Sequence, residues 1–494
     1  MSFNSIDFLI FFPVVTALYF LLPHRFRWIL LLGASVFFYM AFIPAYILVL
    51  LATILIDYFA GIWIAKTEGG KKKLYLIVSV IFTCLVLFIF KYFNFFNANL
   101  AALAEFLHWN YGIGALSIAL PIGLSFHTFQ SLSYVIEVYR GKQQVEKNFG
   151  IYSLYVMFYP QLVAGPIERP QNLLHQFYEN HGFEPSRVIN GLKLMAWGMF
   201  KKVVVADRLA LFVGAVYGEP AVWPGPALAL ATLFFAFQIY ADFSGYSDIA
   251  IGAAQVMGFK LMDNFNRPYA SRSVQEFWQR WHISLSTWFR DYLYISLGGS
   301  RVTKMRWVLN IMAVFLVSGL WHGANWTYIV WGALHGFYMA FSVWTNGVRE
   351  KIRSYFSFLG TRILSAWQVA ASFALITFAW IFFRAPDLQS AWYIAGHMFG
   401  GFKDMAVNFL ADPSFGAASA LKPLLMGQTK WEFLAAIAAI IFMEAVQYFE
   451  RRGSVRTLLS GRPAPVRWGF YAVVVLAILN FGIVDRIQFI YFQF

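Results

Sequence analysis

The sequence predicts an all-α polytopic membrane protein, and three observations carry that expectation. The 494 residues are 60% hydrophobic and 20% aromatic, with only 13% charged. Mean hydropathy is +0.60, whereas a soluble domain carries about a quarter charged residues. Apolar stretches long enough to cross a bilayer recur along the whole chain, which is the signature of helical spans. Those stretches are uniformly apolar rather than alternating in segments of about ten residues, which excludes a membrane β-barrel. The sequence shows no internal repeat and no low-complexity region, so a single integral-membrane domain over residues 1–494 is expected.

The formal net charge of +14 raises the question of nucleic acid. Placement of the basic residues answers it. They cluster in short loops beside apolar runs: Arg25 and Arg27, Lys71–Lys73, Arg301–Arg306, Arg349–Arg353, and Arg451, Arg452 and Arg456. This is the positive-inside pattern of cytoplasmic loops, for which anionic lipid of the bilayer is a sufficient partner. No nucleic-acid partner is expected. The single cysteine, Cys84, lies in an apolar run. It allows no intramolecular disulfide and no cysteine metal site, and it reads as a small core residue.

Taken in order, the first run is Phe8–Leu22, preceded by Asp7 rather than by basic residues and lacking a small-residue cleavage pattern. It reads as a retained span. Trp28–Phe42, Tyr46–Ala65 and Leu74–Phe93 come next. With Arg25/Arg27 and Lys71–Lys73 both cytoplasmic, two spans fit between them and the N-terminus is placed outside. Leu116–Val138 carries Pro121, Gly123 and His127, which predict a re-entrant or kinked piece. Ile151–Val163 is short, and Pro160, Gly165 and Pro166 break the helical pattern at and beyond its end, as expected of backbone lining a buried cavity.

Gly191–Tyr217 is long but contains Lys201 and Lys202, which must face a cavity or the interface. Gly218–Pro226 reads as an external loop, and Ala227–Met257 carries Gln238, Asp242 and Asp248. Trp278–Leu297 is amphipathic and aromatic, so it is expected to lie in or dip into the interface. Trp307–Trp344 reads as two spans turning near Gly323–Asn325. Ala366–Phe383, the external polar interval Arg384–Lys430, Trp431–Val446 and Trp468–Ile483 complete the chain. The sum is about ten to twelve crossings with short re-entrant or interfacial helices.

The densest chemistry lies in Glu276–Gly336, which holds three of the nine histidines: His282, His322 and His335. Trp307–Trp344 contains no Asp, Glu, Lys or Arg around His322 and His335. An ionisable side chain at membrane depth is read first as a functional site. Imidazole takes and returns a proton near neutral pH, as the attack of a hydroxyl on an acyl thioester requires. In GLWHGANW, Gly319 and Gly323 permit close approach of a ligand or a neighbouring backbone to His322. A hydrogen bond between packed helices would explain the same histidine, and spacing alone does not separate the two readings. His335 lies 13 residues further on, on roughly the opposite face of any continuous helix. The two would share a site only if the chain turned sharply between them, so His335 reads as structural. His282 is neighboured by Arg280, Trp281, Ser286, Arg290 and Asp291, which an interfacial helix could carry as a lipid-facing belt. Asp242 and Asp248 do not share a helix face, whereas Gln238 and Asp242 are one turn apart and suited to a buried polar contact.

FWQRWHISLSTWFRDYLYISLGGSR (Phe277–Arg301) together with SGLWHGANWTYIVWGALHG (Ser318–Gly336) resembles the membrane-bound O-acyltransferase superfamily. More narrowly, it resembles the bacterial alginate O-acetyltransferase branch. Supporting segments are Leu120–Gly141, Phe158–Pro170, Phe237–Gly252, Asn264–Trp278, Phe378–Ala385 and the terminal FIYFQF. The resemblance implies that His322 matches the catalytic histidine and that His282, 40 residues earlier, matches the second site position. It further implies a helical bundle with a funnel through a thinned centre, where a cytosolic donor and a far-side acceptor meet. The expected reaction is acetyl transfer, with His322 as general base and His282 orienting the hydroxyl or stabilising the charged intermediate by hydrogen bonding. The expected donor substrate is acetyl-CoA, entering from the side of the basic loops, with no bound cofactor and no metal. No glycine-rich phosphate loop is present, so donor and substrate contacts fall to scattered candidates: Arg280, Trp281, Arg290, Asp291, Gln238, Asp242, Asn325, and Lys201/Lys202. Expected partners are periplasmic or extracellular polysaccharide-modifying proteins, and the expected location is the bacterial inner membrane. D-alanyl transfer toward teichoic acid, acetylation of peptidoglycan or cellulose, and a proton-coupled transporter are the competing expectations. The last lacks the two similar halves common in transporters. The charge rule leaves His322 near the far-side turn of its hairpin, so a central histidine requires a recessed or tilted hairpin.

Overall fold

The structure, a computed structural model, describes residues 1–411, 422–483 and 489–492. The polar interval after Arg384 therefore falls partly outside the described residues. Within them the regular structure is entirely helical, as expected. Seven helical stretches are long and apolar enough to cross a bilayer: Pro44–Lys66, Gly69–Phe106, Gly225–Met257, Lys304–His322, Gly360–Arg384, Lys430–Arg452 and Ala464–Phe481. The helix Ile6–Leu21 is apolar but shorter. Several further apolar runs expected from sequence are broken by turns, and one of these breaks holds His282.

The described chain divides into two compact units. The first comprises Met1–Met195 with Tyr246–Asp263, and the second Ala196–Gly245 with Asn264–Phe494. In the first unit lie α1 (Ile6–Leu21), α2 (His24–Met40), α3 (Ile47–Lys66), α4 (Gly69–Leu87), α5 (Phe93–Phe106), α6 (Leu124–Tyr139), α7 (Phe149–Met157) and α8 (Pro170–Leu173). The segment Leu116–Val138 is not one span. Its first half is non-helical, and α6 begins only after Gly123, whose φ of 76° is the left-handed backbone that glycine adopts without strain. A Cβ on Gly123 would lie 2.8 Å from the Leu162 carbonyl, so the turns after α7 pack directly on this start. Residues 151–157 of α7 and the irregular Phe158–Ile167 are buried. Irregular backbone at this depth is tolerated where protein rather than lipid surrounds it. Asp57 of α3 is fully buried and accepts hydrogen bonds from Ser79 (2.5 Å), Thr83 (3.1 Å) and Ser131, clamping α3, α4 and α6 together. Three hydroxyl donors provide the compensation that a buried carboxyl needs.

The remaining helices are α9 (Pro185–Met199), α10 (Asp207–Gly218), α11 (Gly225–Met257), α12 (Val274–Arg280), α13 (Ile283–Trp288), α14 (Lys304–His322), α15 (Trp326–Trp344), α16 (Asn346–Tyr355), α17 (Gly360–Arg384), α18 (Leu388–His397), α19 (Phe402–Ala411), α20 (Lys430–Phe449), α21 (Val455–Ser460) and α22 (Ala464–Phe481). At 33 residues α11 is far longer than the roughly 20 that span a bilayer, and most of it is buried. By contrast α22 exposes nearly all of its apolar surface, as a lipid-facing helix does. The expected hairpin in Trp307–Trp344 is present as α14 and α15, with the turn at Gly323–Asn325. Its two helices are in backbone contact: a Cβ on Gly319 would lie 2.3 Å from the Tyr328 carbonyl, and one on Gly332 2.3 Å from the Phe315 carbonyl. The glycines thus admit the neighbouring helix, with Gly323 fitted under the ring of Tyr328.

Trp278–Leu297 departs from its expected interfacial helix. The chain breaks at Trp281–His282, and these two residues are among the most buried in the protein, at 1% and 0% exposed. The break is held by an extended neighbour: Ile283 N–H donates to the Asn264 carbonyl at 3.0 Å, and Asn266 N–H to the Arg280 carbonyl at 2.9 Å. Backbone that loses its helical partners here gains others from residues 264–266.

Candidate active site

His322 is the last residue of α14 and is 3% exposed. Its Nδ1 lies 2.6 Å from the Ser318 carbonyl one turn earlier. A carbonyl oxygen only accepts, so Nδ1 carries the proton, and in the neutral ring Nε2 carries the lone pair. Aromatic rings enclose the imidazole: Trp321 at 4.9 Å, Trp331 at 4.8 Å, Phe383 at 5.4 Å and Tyr491 at 6.0 Å between centroids.

His282 sits in the break between α12 and α13 with φ 42°, in the left-handed region. A non-glycine residue there is strained, and such strain persists only where the surroundings enforce it. Asn264 is what enforces it. Its Oδ1 receives the Ser284 N–H at 3.2 Å and the Ser284 hydroxyl at 2.9 Å, and lies 3.2 Å from His282 Nδ1. Because the Ser284 amide donates to this atom, the atom is the amide oxygen, so His282 Nδ1 also donates to it. Both histidines are therefore fixed in the same tautomer by partners on Nδ1, with Nε2 as the basic nitrogen.

The two imidazoles are brought into one aromatic enclosure. His282 lies 6.2 Å from Trp321 and 6.2 Å from Tyr491, and those two rings also pack on His322. Phe243 of α11 completes the wall, 4.6 Å from His282 and 4.4 Å from Tyr491. The terminal segment is seated by Asp242, whose Oδ2 accepts the Ile490 N–H at 2.9 Å. Asp242 is in turn 2.8 Å from Lys202, which also holds Asp207 at 2.7 Å. Lys202 belongs to a π-helical turn, Phe200–Ala206, between α9 and α10. Insertions of this kind are frequent at functional sites.

The other sequence candidates divide. Trp281 packs among Tyr240, Phe265, Phe277 and Trp380, forming the floor behind His282. Arg280 pairs with Glu276 at 2.6 Å, and Arg290 with its neighbour Asp291 at 2.8 Å. Asn325 caps α15 through the Thr327 N–H at 3.0 Å and donates to the Pro386 carbonyl at 3.0 Å, which fixes the hairpin turn. The expected contact between Gln238 and Asp242 is not formed. Lys202 and the Ile490 amide take Asp242 instead, and the buried Gln238 Oε1 has no hydrogen-bond partner among the described residues. Lys201 turns to the ring of Tyr240, 5.9 Å away. The chain does turn sharply between His322 and His335, but His335 accepts the Trp278 Nε1–H at 3.3 Å and is buried among Trp278, Phe315 and Trp331. Asp248 belongs to the first unit.

Three residues of the site escape a sequence reading: Asn264, Tyr491, and Asp242 in its anchoring role. Asn264 and Tyr491 lie in NFNRPYASRSVQEFW and FIYFQF, both segments that carry the family resemblance. That is the one signal pointing to them, because nothing in local periodicity places either beside a histidine.

Comparison with known proteins identifies the family. The model of the membrane-bound O-acyltransferase family matches residues 147–384, a range containing both histidines. A probable alginate O-acetylase of Pseudomonas aeruginosa is 39% identical over 408 residues, covering 81% of this chain and 75% of that protein. A peptidoglycan O-acetyltransferase of Helicobacter pylori is 36% identical over 403 residues, covering 76% and 73% respectively. A teichoic acid D-alanyltransferase of Streptococcus thermophilus is 32% identical over 244 residues, covering 45% and 57%. With two histidines presenting Nε2 in one enclosure inside a multi-pass bundle, the chain belongs to the membrane-bound O-acyltransferase family, in its bacterial alginate O-acetylase-like branch, and is an O-acyltransferase.

Proposed function

We propose that this protein moves an acetyl group from acetyl-CoA, as a cytosolic donor substrate, to a hydroxyl of a cell-envelope or exported polysaccharide, directly or through a periplasmic partner. The observation that carries this reading is the hydrogen bond from His322 Nδ1 to Ser318, which leaves Nε2 as the base. Nε2 takes the proton of the acceptor hydroxyl as its oxygen forms a bond to the thioester carbonyl carbon. The carbon–sulfur bond then breaks, and the imidazolium returns the proton to the departing thiolate. Proton transfer of this kind contributes about 10²–10⁴-fold. His282, held by Asn264, orients the hydroxyl or stabilises charge on the tetrahedral intermediate. The aromatic walls strengthen these interactions by lowering the local dielectric. Preference for acetyl over D-alanyl transfer rests on the acetylase relatives, which match about four fifths of this chain, against under half for the D-alanyltransferase. In this reading the basic loops lie on the donor side and the membrane is the bacterial cytoplasmic membrane.

The test follows label from acetyl-CoA into polysaccharide in membranes carrying the wild type or His322→Ala. The variant is expected to accumulate normally and to transfer at least ~100-fold more slowly. Undiminished transfer would remove His322 from the chemistry.

A further inference from the structure

Arg384 ends α17 at the same end of its helices as His322. The preceding residue, Phe383, packs 5.4 Å from His322 and 5.1 Å from Tyr328. Asn325, in the hairpin turn, bonds the carbonyl of Pro386 two residues further on. The basic residues Lys304, Arg306 and Arg362 lie at the opposite ends of α14 and α17, and Arg349 lies in α16, which follows the corresponding end of α15.

Arg384 is half-buried, with its guanidinium 5.6 Å from the centre of the Tyr217 ring. The ionisable groups acting on it are two phenols, Tyr217 and Tyr328, and it has no carboxylate partner among the described residues. Four other cations of this unit do have one. Lys202 holds Asp207 and Asp242, Arg208 holds Glu432, Arg280 holds Glu276 and Arg290 holds Asp291. A permanently charged group partly withdrawn from water without a counter-ion is costly. A guanidinium lying over an aromatic ring keeps its in-plane donors at its edge, and that edge matches the two oxygens of a carboxylate.

We propose that Arg384 is an anion-binding residue for the acceptor, pairing with a carboxylate on the chain whose hydroxyl His322 deprotonates. The identity of the ligand rests on the acyl-transfer reading. Donor phosphates offer a related anion, but the positive-inside rule brings the donor to the other end of these helices.

The test measures binding to the purified full-length protein in detergent, with an oligouronate, its carboxyl-reduced counterpart and acetyl-CoA as probes. Wild type is expected to bind the oligouronate ~10-fold or more tightly than the reduced form, as a charge-assisted bidentate pair implies. Arg384→Gln is expected to abolish that preference with acetyl-CoA binding unchanged, and Arg384→Lys to retain part of it. Equal binding of the two oligosaccharides by the wild type would overturn the proposal. So would loss of acetyl-CoA binding alone in Arg384→Gln, which would assign the anion to the donor. A lowered melting temperature with all ligands weakened alike in both variants would reduce Arg384 to packing on Tyr217. Arg384-dependent oligouronate binding in a wild type that transfers no acetyl group would support the anion site while sinking the acyl-transfer reading.

Discussion

The amide of Ile490 donates to Asp242 Oδ2 at 2.9 Å, and this bond seats the terminal segment against the enclosure of the two histidines. Tyr491, the next residue, has its ring 6.0 Å from His322 and 6.2 Å from His282. Asp242 can hold this segment firmly because Lys202 pairs with it at 2.8 Å in a buried setting. A charged acceptor makes a hydrogen bond roughly twice as strong as a neutral one.

Asp242→Asn is therefore expected to release the terminal segment more than it loosens the bundle, since Lys202 retains Asp207. The loss of one charge-assisted bond corresponds to about 1.5–3 kcal/mol. Acetyl transfer should fall ~10-fold or more, with only a modest drop in the melting temperature of the detergent-solubilised protein. A variant with wild-type transfer would show that Tyr491 needs no such anchor.

The shared tautomer of the two histidines predicts a separable role for Asn264. Asn264→Ala removes the acceptor for both His282 Nδ1 and Ser284. It should slow transfer ~10- to 100-fold, in the range found when an orienting partner is lost. Asn264→Asp keeps an acceptor in place and should recover part of the rate. Equal loss in both variants, with wild-type melting, would mean that His282 does not depend on this bond.

His282→Ala and His322→Ala should differ in kind. Removal of the base lowers the maximal rate, whereas removal of an orienting group acts on acceptor affinity as well. Kinetics at saturating acetyl-CoA with varied acceptor would distinguish them. Identical profiles would make the pair one functional unit rather than a base and a positioning residue.

The fold class was legible because the bilayer forces its solution into composition and run length, and His322 stood out because Trp307–Trp344 contains no Asp, Glu, Lys or Arg. His282 was legible only through the family resemblance. Its local surroundings, Arg280 and Arg290 above all, read as an interfacial belt, and the structure pairs both arginines with neighbouring carboxylates. The left-handed turn at His282 and its pinning by Asn264 are tertiary facts that helical periodicity cannot encode. The contact expected between Gln238 and Asp242 fails for a related reason. Gln238, the i−4 neighbour of Asp242, is one turn away in sequence, but a buried carboxylate is better satisfied by a cation than by an amide, and Lys202 lies on another helix.

The α14–α15 hairpin sets where His322 stands, and its glycines make the last prediction. A methyl group on Gly319 would meet the Tyr328 carbonyl at 2.3 Å, which only a backbone shift between the helices can relieve. Overpacking of this kind typically costs about 1–3 kcal/mol. Gly319→Ala is thus expected to lower the melting temperature and to slow transfer together, because the shift moves His322 relative to Trp331 and Phe383. Gly469→Ala in α22, where no atom lies within 4 Å of the added carbon, is the matched control and should be neutral in both measurements. If Gly319→Ala matched the control in melting yet lost activity, the glycine would instead be admitting substrate rather than the neighbouring helix.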